Sequence, residues 1–102
     1  MSDKDKILKL VGGTRVKNAW GTADDEPEGA SSWKEFYEER RAWPKTCRIK
    51  YCGDEAILGA HVTIYGQRGE WIIPMCAKHN NFYNKKWMPV NQGTFAVLEV
   101  ER

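Results

Sequence analysis

All three cysteines and both histidines of this 102-residue chain lie between Cys47 and His79. This clustering constrains the fold more than any other feature, because a chain of this length builds a thin core and gains from a staple. An odd number of cysteines cannot complete an intramolecular disulfide framework. Spacing offers the alternative. Cys47 and Cys52 stand in C-x4-C, and Cys76 and His79 stand in C-x2-H. Two short-spaced pairs of thiolate and imidazole donors are the form of a structural zinc site, each pair closing a tight loop around half a tetrahedron. The sequence therefore predicts one structural Zn²⁺ held by Cys47, Cys52, Cys76 and His79. Its binding free energy would add to folding free energy. His61 is a fifth donor for a four-coordinate ion. Either it replaces a member of the set, with Cys47 the first to give way, or it is a strand histidine or a functional group.

Charge says less than its distribution. Sixteen Lys and Arg against fourteen Asp and Glu give a formal charge of +2, too small to announce nucleic-acid binding. The basic excess gathers around the first cysteine, at Arg40, Arg41, Lys45, Arg48 and Lys50. No stretch approaches the roughly 18–20 apolar residues of a membrane span, and the opening MSDKDKILKL lacks the apolar region of a signal peptide. A cytoplasmic chain without membrane contact is expected.

The local signals divide the chain at about residue 32. Residues 1–31 read as an N-terminal arm: Ile7–Val11 is a short strand or one helical turn stopped by Gly12-Gly13, and GTADDEPEGASS is an acidic flexible loop. Residues 32–102 read as the zinc-binding α+β domain. Ser32 and Glu35 have capping-box spacing, so a helix starts there, carries Trp33, Phe36, Tyr37 and Trp43 near one face, and ends before Pro44. Strands are expected at Thr46–Tyr51, at Ile57–Tyr65 and Glu70–Met75 around the turn Gly66-Gln67-Arg68-Gly69, and at Thr94–Val100. Residues 76–87 suit a short helix or a knuckle.

A cysteine pair, then GAHV at 59–62, a hairpin, then IIPMCAKHNN at 72–81 resembles the HNH endonucleases of the His-Me finger superfamily. The likeness covers about residues 46–85. It implies a small zinc-stapled treble-clef or ββα-like domain, α+β in class, with an N-terminal helix and short antiparallel strands. Cys47, Cys52, Cys76 and His79 would match its knuckles, His61 its general base and Asn80 its last metal-binding position. Ala60 stands where a carboxylate or histidine usually precedes the base, and no asparagine lies between His61 and Cys76. The catalytic set is therefore incomplete.

The expected function is a small zinc-binding protein without catalysis, a module engaging either nucleic acid or a protein partner. Its candidate contacts are Arg40, Arg41, Lys85, Lys86 and Trp87, which combine phosphate-pairing cations with a stacking ring. Both partner classes stay open at this point, as does the oligomeric state. Two alternatives are carried: a metal-dependent HNH-like endonuclease using His61 and Asn80, and a small inhibitor of the phage-encoded kind with the acidic loop Asp24–Glu28 as a phosphate mimic.

Overall fold

The structure is a computed structural model and describes residues 6–19 and 32–100. Among these residues lie β1 (Ile7–Leu10), β2 (Arg15–Asn18), α1 (Trp33–Glu38), β3 (Leu58–Ile64), β4 (Glu70–Met75), β5 (Met88–Pro89) and β6 (Thr94–Val100). The strands form one antiparallel sheet in the order β1-β6-β4-β3-β2-β5.

This sheet closes on itself. β1 meets β6 from Ile7↔Val97 to Leu10↔Thr94, and β2 meets β5 from Arg15↔Pro89 to Val16↔Met88. Both ladders keep the same register, so residues 7–16 and 88–97 run alongside each other as two bent strands. Hydrogen bonds carry the pairing round the bend: Gly13 N–H to Val90 O at 2.9 Å, Val90 N–H to Thr14 O at 2.9 Å, and Gly93 N–H to Leu10 O at 3.0 Å. Gly13 and Gly93 adopt φ of 89° and 78°, a region that side chains avoid, which lets each strand turn its corner. β3 and β4 complete a small barrel.

Period-two alternation fills that barrel. Val16 on β2, Val62 and Ile64 on β3, Trp71, Ile73 and Met75 on β4, and Ala96 and Leu98 on β6 share one buried cluster. The opposite face of β4 and β6 carries Ile72 and Val97, which pack under Phe36 and Tyr37 of α1. β4 is consequently buried along its whole length, with the barrel on one side and the helix on the other. Gly59 permits this second layer: a Cβ there would lie 2.6 Å from the Trp33 carbonyl carbon and 2.8 Å from Lys34 N.

The expected α+β treble-clef or ββα-like class is overturned, since the described chain is mainly antiparallel β with one short helix. Three local causes account for it. First, α1 starts as expected, with Ser32 Oγ accepting from Glu35 N–H at 3.0 Å, but stops at Glu38. There the N–H groups of Arg40 and Arg41 both turn to Tyr37 O, and the Arg40 guanidinium donates to Phe36 O at 2.8 Å, satisfying the helix end early. Second, no helix follows Cys76 among the described residues. Asparagine side chains take the backbone instead, Asn81 Oδ1 accepting from Tyr83 N–H at 2.8 Å and Asn84 Oδ1 from Lys86 N–H at 3.3 Å, in competition with helical bonds. Third, residues 7–18, read from sequence as part of an arm, are the strands β1 and β2, and Gly12-Gly13 is a corner between them rather than a stop. The expected strand Thr46–Tyr51 makes only the isolated bridges Thr46↔Glu55 and Ile49↔Val90. The 57–75 hairpin and the strand Thr94–Val100 are present. The acidic loop Asp24–Glu28 lies outside the described residues.

Candidate metal centre

Cys76 ends β4, and the next three residues turn back so that His79 faces it. Cys76 Sγ lies 3.2 Å from His79 Nδ1 and accepts the His79 backbone N–H at 3.4 Å. Asn80 N–H closes the turn on Cys76 O at 3.0 Å. The first pair sits on a loop held from two sides. Arg48 N–H donates to Pro74 O at 3.2 Å beside β4, and Lys50 N–H donates to Pro89 O at 2.8 Å beside β5. Tyr51 then takes φ of 68°, an unusual conformation for a side-chain-bearing residue, and Cys52 N–H returns to Ile49 O at 3.1 Å. The loop thereby brings Cys52 Sγ to 3.8 Å from Cys76 Sγ and Cys47 Sγ to 3.9 Å from His79 Nδ1.

The four donor atoms of Cys47, Cys52, Cys76 and His79 lie within 4.8 Å of one another, close enough to bind one metal ion. All three thiols are free, and Cys47 and Cys76 are buried. Burial pushes the Cys47 thiol up to about 12, because a lone thiolate there loses its hydration. A cation at the centre of the set would supply the missing countercharge.

His61 stands apart from this group. It lies on the outer face of β3, under α1, with Nδ1 3.4 Å from Glu99 Oε2 and its ring edge-on to Trp33 at 4.7 Å between centroids. It shares with Asn80 the lining of a cleft of about 340 Å³, together with Ala19, Trp33, Ile57 and Leu58. Arg40 and Arg41 belong to the helix layer, where their guanidinium carbons lie 3.9 Å from the Phe36 ring centroid and 3.6 Å from that of Phe95. Lys85, Lys86 and Trp87 are exposed on the segment joining His79 to β5.

Sequence reasoning missed Asn18. Its buried amide donates to His79 O at 2.8 Å and to Asn84 O at 3.2 Å, and Asn84 Nδ2 also reaches His79 O at 2.8 Å. These bonds fix the peptide of a candidate ligand from its outer side. The signal was present in RVKN, where a polar residue follows Val16 at the inward-facing interval. Glu99, the partner of His61, carried no local signal.

Comparison with protein-family models, curated proteins and solved structures finds no match to this chain. The likeness to HNH endonucleases receives no support from them.

Proposed function

We propose that this chain is a zinc-stapled binding module rather than an enzyme. The donor set carries the reading. A tetrahedral Zn²⁺ with Zn–S bonds of about 2.3 Å and a Zn–N bond of about 2.0–2.1 Å separates its ligand atoms by about 3.5–3.8 Å. Three of the separations are 3.2, 3.8 and 3.9 Å, and all lie within 4.8 Å. Three thiolates and one imidazole complete four-coordination and leave no position for water or substrate, as in structural sites. Soft sulfur donors favour Zn²⁺ over Mg²⁺ or Ca²⁺. A nuclease reading is less well supported: His61 is 7% exposed and engaged by Glu99 and Trp33, poorly presented to a phosphodiester strand.

Metal analysis of the purified chain tests the reading, with one zinc per chain expected and substitution by Co²⁺ giving the thiolate charge-transfer absorption of a tetrahedral site. Cys76→Ser should lose most of the metal and lower the melting temperature, since Cys76 contacts both Cys52 and His79. His61→Ala should keep full stoichiometry. Full metal content in the Cys76→Ser chain would rule out this ligand set.

A further inference from the structure

We propose that the outer face of β5, β2 and the Tyr65 end of β3, clear of α1, is a platform for single-stranded nucleic acid; the proposal rests on the binding-module reading and names its partner. Three neighbouring elements build the surface. On β2, Val16 and Asn18 point inward, so Arg15 and Lys17 point outward. Lys17 pairs across to Thr63, and Tyr65 donates its N–H to Arg15 O at 2.9 Å, so Tyr65 stands beside Arg15. On the other flank Trp87 immediately precedes β5, its ring 5.5 Å from that of Tyr65 and 4.9 Å from Lys17 Nζ. Beyond β5, Lys50 is held on Pro89 and sets its ammonium 5.4 Å from the ring of Tyr51, which is 92% exposed.

The chemistry of this face selects its partner. Trp87 and Tyr65 are 40% and 66% exposed, whereas Phe36 and Tyr37 are buried. Arg15, Lys17 and Lys50 accompany them, and no Asp or Glu occurs in residues 15–18, 58–65, 85–90 or 48–52. Strands spaced about 4.8 Å apart set cations and rings side by side. A single strand supplies both complements at once: phosphates for the cations and unstacked base faces for the rings. A duplex keeps its bases stacked and offers the rings no base face. An acidic peptide would pair the cations and leave the rings unused.

The test is fluorescence anisotropy of the full, metal-loaded chain with labelled oligo(dT) and oligo(U) of about 12 nucleotides, within the usual site size. A duplex of equal length and polyglutamate serve as competitors. Single strands should bind at low salt and be displaced poorly by both competitors. Contacts to three phosphates should give a log–log salt slope of roughly −2. Trp87→Ala and Tyr65→Ala should each weaken binding about tenfold, with Trp87→Phe retaining most of it. Arg15→Ala should flatten the salt slope by roughly 0.7. Lys34→Ala, on the helix layer, should leave affinity unchanged. The two single strands compared with each other then report whether a 2′-hydroxyl is read. Absence of binding at low salt, equal competition by duplex or polyglutamate, or an unaltered affinity in a folded Trp87→Ala chain would overturn the platform. Metal content and melting are read on the same samples. A chain holding one zinc yet binding no single strand overturns this inference alone, while a metal-free chain that stays folded overturns the staple whatever it binds.

Discussion

Substituting Gly59 by alanine tests how the helix layer sits on the barrel. Gly59 pairs with Pro74 next to the Leu58↔Met75 end of the β3–β4 ladder, and the start of α1 crosses directly above it. A methyl there would lie 2.6 Å from the Trp33 carbonyl carbon, 2.7 Å from its oxygen and 2.8 Å from Lys34 N. Comfortable contacts between such atoms are about 3.5–4.0 Å, so α1 must withdraw by roughly 1 Å. All three atoms are backbone, and no rotamer change relieves them. Withdrawal pulls Trp33 from its 4.7 Å contact with His61 and loosens Phe36 and Tyr37 over Ile72 and Val97. Overpacking of this kind costs about 1–3 kcal/mol. Alanine returns about 0.4–1 kcal/mol by restricting the unfolded chain. The net loss is about 1–2 kcal/mol, or a fall in melting temperature of roughly 4–16 °C at about 4–8 °C per kcal/mol. Thermal melts followed by near-ultraviolet circular dichroism measure it, with metal content as the control because the four candidate ligands lie outside this contact. A Gly59→Ala chain with an unchanged or raised melting temperature would refute the close approach of α1 to β3.

Further tests follow from single side chains. Tyr37 donates its hydroxyl to Phe95 O at 2.9 Å and is pushed up to about 12 by burial, with the Arg41 and Arg48 charges opposing the shift. A raised folded value means that its contribution is complete below pH 10 and is lost as pH rises from 10 towards 12; urea melts across that window should show stability falling, and Tyr37→Phe should remove this component while costing about 1–2 kcal/mol at neutral pH. Asn18→Ala should cost about 1–3 kcal/mol and lower metal affinity, because Asn84 O loses its donor and His79 loses one of two. Asn18→Asp should be worse than alanine, since it sets a carboxylate against two carbonyl oxygens; competition with a chromophoric chelator reads both affinities. Chelation of the parent chain should expose the buried cysteines to thiol reagents and unfold the barrel.

The elements legible in the sequence are those whose bonds are local. The β3–β4 hairpin is written in Gly66 and Gly69, whose φ values of 82° and 93° match the turn, and in the alternation of Val62 and Ile64. The start of α1 is written in Ser32 and Glu35. Its end falls well short of Pro44, the stop written in the sequence, because the arginines after Glu39 reach back to Phe36 and Tyr37 and finish the helix sooner. The closure of the sheet was not legible at all. It depends on residues 7–16 meeting residues 88–97, and such a pairing leaves no trace in either segment by itself. Four-residue strands such as Ile7–Leu10 show at most two turns of alternation, too few to separate from a loop.

The candidate metal group behaves differently because donor identity and spacing carry its information. Cys76 and His79 must share one turn to act together, and C-x2-H requires that whatever sheet surrounds it. The fifth donor needed three dimensions. On β3 the side chains alternate, so His61 faces α1 and Glu99 while Ala60 and Val62 face the barrel that leads toward Cys47 and Cys76. A shift of one position would have turned His61 into the barrel. The other cations are placed by the elements that carry them. Arg40 and Arg41 follow α1 and are spent on Phe36 and Phe95, whereas Arg15 and Lys17, in a segment too short to read, alternate with Val16 and Asn18 and emerge beside Trp87. Strand parity sets Arg15 and Lys17 outward, while the end of α1 lays Arg40 and Arg41 on rings of the helix layer.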